Sequence, residues 1–220
     1  MVNSKKDVTT IYIIRHGQSE SNVYAQENPD KPASQFGEYG SALTQLGREQ
    51  AAKLAKRLQD VDFAAIYSSD LTRAKETAEI IADGHSVPVV SNSTIRERFF
   101  GKHMTSIQKR EIEKALETLN EEEKMAFRYF PHGESGYEVV ERFKNFLKEI
   151  IAVNKNKTIA VVNHGNVMRS FLIHEGFAKY ADLSSGAVAN CGYFVIQTDG
   201  ETFEVIKSYG INKNQTGSEE

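Results

Sequence analysis

Apolar positions along the chain fall into two periods. "TIYIIR" (10–15), "FAAIYSS" (63–69) and "KTIAVVN" (157–163) are short, largely continuous apolar runs rich in β-branched or aromatic residues. Such runs predict strands buried on both faces, as in a parallel sheet covered by helices on each side. "GYFVIQT" (192–198) and "TFEVIKSY" (202–209) flank an Asp-Gly pair and predict a hairpin at one end of that sheet. Between the strands the period changes to helical. Ala51, Leu54, Ala55 and Leu58 share one face of a helix over 47–59. Val139, Phe143, Phe146, Leu147 and Ile150 form a stripe over 135–152, with charges opposite. Ser135 is the natural N-cap of that helix, and Glu138 completes a capping box. A further helix over 70–82 has Ser69 or Asp70 available as its cap. Strands alternating with helices predict an α/β fold, a three-layer sandwich around a mostly parallel sheet.

Two segments break the rhythm. Residues 27–41 are a polar loop holding two of the four prolines. Residues 101–133 are charged and helix-prone with scattered apolar positions, and read as a helical insertion or lid over one edge of the sheet. The 220 residues fit one large domain, or one domain with an insertion, with frayed ends at about 1–9 and 211–220.

Charge narrows the partners. A net charge of −3 argues against a general nucleic-acid or membrane-surface binder, so an anion site has to be built locally. No apolar run is long enough to span a membrane, and the first ten residues lack the apolar stretch of a secretory signal. The single cysteine, Cys191, excludes an intrachain disulfide and fits a reducing compartment, so a cytoplasmic location is expected.

Candidate chemistry follows from where strands end. Ligands in open α/β sheets sit beyond the carboxyl ends of the strands. "IYIIRHG" (11–17) and "IAVVNHG" (159–165) each end a buried strand on a polar residue, a histidine and a glycine, before a helix. The glycines permit a tight turn, and a helix N-terminus offers free N–H groups to an anion. Arg15 stands beside His16, and Arg73 lies in the first turn of the helix after "IYSSD". Two arginines and two histidines at one edge suit a phosphate dianion. They also disfavour protonation of either imidazole, and a neutral imidazole is what a nucleophile requires.

"RHGQSESN" (15–22) resembles the R-H-G-x-S-x-x-N signature of the histidine phosphatase superfamily, the phosphoglycerate-mutase-like proteins. The resemblance continues in order through "LTQLGREQA" (43–51), "YSSDLTRAKETA" (67–78), "RERFFG" (96–101), "HGESGYEVVERF" (132–143) and "VVNHGNVMRSFL" (161–172). It implies one histidine-phosphatase domain over 1–220 that hydrolyses a small phosphomonoester through a phosphohistidine. His16 would be the nucleophile. Arg15, Arg73, His164 and Gly165 would hold the phosphoryl group, and Asn22 would donate a further hydrogen bond to it. Glu97 would protonate the leaving oxygen, a role suited to a carboxyl beside a phosphate dianion. No cofactor and no metal are implied, since arginines would neutralise the phosphate. The same residues would serve a cofactor-dependent phosphoglycerate mutase or, without turnover, a phosphate-binding module.

The chain departs from the family pattern in two places. "GKHMT" (101–105) lacks a second glycine and the expected acid or amide, and 27–41 lacks the aromatic–acid pattern of mutases. "HGN" (164–166) is mutase-like. Glu97 also reads as a surface ion-pair partner of Arg96 or Arg98. His85, His103, His132 and His174 read as surface or satisfied polar residues, with His103 near the expected pocket. Cys191 reads as a small buried residue opening a strand.

Overall fold

The computed structural model describes residues 7–101 and 103–214. Six strands form one sheet: β1 (Thr9–Arg15), β2 (Phe63–Ser69), β3 (Val89–Asn92), β4 (Thr158–Asn163), β5 (Val188–Thr198) and β6 (Phe203–Ile211). Their order is β3-β2-β4-β1-β5-β6, with β1 to β4 parallel and the β5–β6 hairpin antiparallel at one edge. The helices are α1 (Glu20–Glu27), α2 (Gln45–Leu58), α3 (Thr72–Asp83), α4 (Ser106–Ala115), α5 (Glu121–Ala126), α6 (Gly136–Val153) and α7 (Gly165–His174).

Strand alternation divides the core in two. Ile11, Ile13, Ile159 and Val161 face the layer of α6 and α7, against Phe143, Phe146, Leu147 and Phe171. Ile14, Ala160 and Val162 face α2 and α3, against Ala51, Leu54, Leu58, Ala74 and Ile81. Both faces of β1 and β4 are therefore covered, which is why those runs are continuously apolar. The expected three-layer α/β sandwich is the fold observed. α6 starts where its pattern predicts, with Ser135 Oγ accepting from the Glu138 N–H and Glu138 Oε2 accepting from the Ser135 N–H.

Some local expectations are corrected. α3 is not capped by Ser69 or Asp70; its N-cap is Leu71. Ser69 is still in β2, and the Asp70 carboxylate is taken by Arg96, whose Nε and Nη2 donate to it at 2.7 Å each. Cys191 lies inside β5 rather than opening it. β3 was not foreseen, since its four residues form an edge strand with no buried side chain. Where they are described, the ends expected to fray at about 1–9 and 211–220 are held in the fold. Thr9 is buried in β1, Ile211 closes β6, and the Asn212 and Asn214 N–H groups donate to Ala187 and Asp182. Residues 1–6 and 215–220 of those segments lie outside the described residues.

The 101–133 segment folds as α4, a 3-10 turn and α5. α4 buries no side chain fully and is tethered where Ser106 Oγ donates to the Ala25 carbonyl and the Ile107 N–H to Pro29. α5 is anchored more deeply, through Met125 in the core.

Candidate active site

Register brings the two histidines level. β1 pairs with β4 so that Arg15 stands opposite Asn163. His16 and His164 are each the next residue, at the carboxyl edge, and their ring centroids are 5.2 Å apart. Both rings are buried. The turn after His16 needs its glycine. A Cβ on Gly17 would lie 2.5 Å from the Gly47 carbonyl oxygen, and one on Gly47 would lie 2.0 Å from the Gln18 oxygen. "RHG" and "LTQLG" thus meet backbone to backbone.

Hydrogen bonds set the tautomers. His16 Nδ1 lies 2.7 Å from the Gly17 carbonyl, which can only accept, so Nδ1 carries the proton. Nε2 is then a lone pair, and Arg73 Nε donates to it at 3.0 Å. The same guanidinium donates through Nη2 to His164 Nδ1 at 3.2 Å, which puts the His164 proton on Nε2. That Nε2 is buried and has no hydrogen-bond partner among the described residues. Burial, then Arg73, then Arg15 hold His16 well below the ordinary imidazole pKa. Burial, then Arg73 and His16, do the same for His164. Both rings are neutral, as the charge argument required.

The arginines are themselves constrained. Burial lowers the pKa of Arg15 and Arg73, and the Glu97 carboxylate offsets part of that shift. Arg15 Nη1 donates to the Val188 carbonyl, while its Nε is buried with no hydrogen-bond partner among the described residues. Gly165 faces that Nε, where a Cβ would make ordinary contact at 3.4 Å. Two residues that sequence reasoning passed over hold Arg73. Thr77 Oγ1 donates to the Arg73 carbonyl at 2.7 Å and accepts from the Gly17 N–H at 3.0 Å. Gly40, at φ +72°, lies against the guanidinium, where a Cβ would sit 2.6 Å from Arg73 Nη1.

Glu97 is not a surface ion-pair partner of its neighbours. Arg96 is held by Asp70 and Glu38, and the Arg98 guanidinium donates to the carbonyls of Glu134 and Phe127. The Glu97 carboxyl instead accepts from the Arg98 N–H at 2.8 Å through Oε1. Through Oε2 it accepts from Asn166, at 3.3 Å from the N–H and 3.1 Å from Nδ2. Asn166 stands two residues after His164, so the second strand brings this contact as well. Asn22 stands one residue removed from the His16 backbone. Its Oδ1 accepts from the Ser19 N–H and from Asn190 Nδ2, and Asn190 Nδ2 also donates to the His16 carbonyl.

A cavity of about 470 Å³ opens beside Arg15, Glu97, Gly165 and Asn166. Its other wall is α4, through Ser106, Lys109, Arg110 and Glu113, and its floor includes Arg169. Gln26, Arg110, Ser184 and Gly186 on its rim are exposed, so water reaches it. His16, Arg73 and His164 do not line it; the Arg73 guanidinium occupies the space over their facing nitrogens. The remaining histidines stay out of the site. His103 and His132 are exposed, His174 bonds Glu175, and His85 packs on Phe63. Burial pushes the Cys191 thiol up to about 12, which excludes a thiolate there at neutral pH.

A doubly covered α/β sheet with two neutral histidines and two arginines at its carboxyl edge defines a protein that handles a compact anion. The model of the histidine phosphatase superfamily (branch 1) matches residues 11–210, and the chain belongs to that superfamily. It is similar to a broad-specificity phosphatase of Saccharomyces cerevisiae, 30% identical over 178 residues, covering 77% of this chain and 71% of that protein. It is equally similar to the protein named Probable phosphoglycerate mutase GpmB of Erwinia tasmaniensis, 30% identical over 161 residues, 70% of this chain and 69% of that one. Among solved structures, Bacillus stearothermophilus YhfR superposes with a TM-score of 0.72 at 28% identity, over 90% of this chain and 95% of that one.

Proposed function

We propose that the protein hydrolyses a small phosphomonoester in two steps through a phosphohistidine on His16. The observation that carries this reading is the neutral His16 ring, with Nδ1–H fixed on the Gly17 carbonyl and the Nε2 lone pair turned toward Arg73. In the first step the Nε2–P bond forms and the P–O bond to the leaving group breaks. Arg73 exchanges its bond to Nε2 for phosphoryl oxygens, joined by Arg15, the His164 Nε2–H and the Gly165 N–H at the start of α7. Glu97, in its protonated form, gives its proton to the leaving oxygen, which departs as the alcohol, and is left as a carboxylate. In the second step a water oxygen attacks phosphorus, the P–Nε2 bond breaks, and Glu97 takes the water's proton. Asn22, whose Oδ1 is held by Ser19 and by Asn190 beside the His16 carbonyl, donates a further hydrogen bond to the phosphoryl group from Nδ2.

Hydrolysis is supported over phosphoryl return by the cavity beside Glu97, whose exposed rim admits the water that the second step needs. Among the described residues no helix is long and apolar enough to cross a membrane, and with a buried thiol this supports a site of action in a reducing cytoplasm.

Acid quench during turnover should trap an acid-labile, base-stable phosphoryl group on His16, and His16→Ala should abolish it. Normal turnover in His16→Ala would remove the assignment. Primed interconversion of 2- and 3-phosphoglycerate far faster than hydrolysis would make the protein a mutase instead.

A further inference from the structure

Glu97 sits on a short irregular segment between a 3-10 turn and α4, yet its carboxyl has to meet a leaving oxygen within a fraction of an ångström. Its backbone is held by one ion pair from outside the site. Arg142, on α6, donates from Nε and Nη2 to the two carboxylate oxygens of Glu134 at 2.6 and 3.0 Å. The same guanidinium donates from Nη1 to the Thr94 carbonyl at 2.7 Å and from Nη2 to the Glu97 carbonyl at 3.4 Å. Glu134 reaches the other flank. Its Oε2 accepts from the Phe99 N–H at 2.8 Å, its own N–H donates to the Phe99 carbonyl at 2.7 Å, and its carbonyl accepts from Arg98 Nε at 3.1 Å.

The pair thus touches the segment before Glu97, at Glu97 and after it. It fixes the Arg98 N–H that holds Glu97 Oε1. Both side chains are about three-quarters buried, so this pair is more than a solvated surface bridge. Among the described residues, neither lines the cavity or makes a hydrogen bond to a histidine, and Arg142 reaches His164 only as the weakest of several positive charges. Both belong to "HGESGYEVVERF" (132–143).

We infer that Glu134 and Arg142 are positioning residues that aim Glu97 at the leaving group. The inference rests on the proton-donor reading of Glu97. A misaimed acid slows the departure of a poor leaving group and leaves a good one, which departs without a proton, almost untouched.

The experiment compares kcat and KM for an alkyl phosphate and for nitrophenyl phosphate in the full chain, with inorganic phosphate as competitive inhibitor. Arg142→Met and Glu134→Gln should each lower kcat for the alkyl ester by tenfold or more. Both kcat for nitrophenyl phosphate and the inhibition constant of phosphate should stay within about twofold. Arg142→Lys should recover part of the loss. In a Glu97→Gln background, Arg142→Met should cost nothing further. Glu134→Gln preserves shape and one acceptor, so it reports even where Arg142→Met folds poorly. Equal losses for both esters, or an undiminished alkyl rate, would overturn the positioning role while leaving the phosphohistidine reading intact. A wild-type chain that hydrolyses neither ester would overturn both.

Discussion

Gly47→Ala sets two physical rules against each other. Gly47 lies in the first turn of α2, where intrinsic propensity favours alanine by up to about 1 kcal/mol. The structure predicts the opposite sign. A Cβ there would stand 2.0 Å from the Gln18 carbonyl oxygen, against about 3.4 Å for ordinary contact, and the obstructing atom is backbone. Relief requires roughly 1.4 Å of separation between α2 and the turn after His16. Overpacking costs about 1–3 kcal/mol, and a 2.0 Å approach to backbone lies at the upper end, so after the propensity gain the net change is a loss of about 2 kcal/mol. For a chain of this size that lowers Tm by roughly 4–8 °C. Activity should fall further than stability. The displaced turn carries Gln18 next to Gly17, whose carbonyl fixes the His16 tautomer, and a 1 Å error at a reacting centre costs about a hundredfold. Thermal denaturation followed by circular dichroism, and kcat on nitrophenyl phosphate, read the two effects separately. A Tm equal to or above wild type with undiminished kcat would refute the close-approach argument.

Three further expectations concern the titratable groups. Glu97→Gln should slow alkyl phosphates by a factor of about 10²–10⁴ and nitrophenyl phosphate far less; equal losses would count against proton donation. His16 and His164 have folded pKa values below the unfolded value near 6.5, so the unfolded chain binds more protons once the pH drops below about 6.5. Their contribution to stability is complete above that pH and is lost as the pH falls toward the folded values, by up to about 1.4 kcal/mol per pH unit for each ring. Chemical denaturation between pH 7 and 5 should show a shallower slope when both are replaced by Gln; an unchanged slope would contradict the burial argument. Cys191, buried with its thiol pushed up to about 12, should resist iodoacetamide at pH 8 until the protein is denatured, and rapid labelling of the native chain would disprove it.

Much of this was legible in the sequence because β1 and β4 are covered on both faces and leave continuous apolar runs. Where such a run stops, the chain has reached the sheet edge, so the positions of His16 and His164 could be read directly. β3 left no such trace because its side chains are not buried. The cap of α3 was misjudged because Asp70 is claimed by a distant cation, Arg96, and no local rule sees a partner 26 residues away. The same blindness hid Asn166 as the ligand of Glu97, 69 residues off, and made an adjacent arginine look like its partner. The division of labour between the two histidines came from the family pattern. Their separate tautomers became visible only once the Gly17 carbonyl and the shared Arg73 were in place.

The thin attachment of α4 has a consequence for how this architecture changes over time. One wall of the cavity is the sheet edge, through Arg15, Gly165 and Val188, whose geometry is locked by two core layers. The opposite wall is a helix with no fully buried side chain, tied down by a few hydrogen bonds. Amides of α4 should exchange with solvent well before those of β1 and β4. Substitutions on its inner side meet few core constraints. The part that greets the leaving group can therefore drift from one substrate to another while the part that takes the phosphoryl group stays fixed.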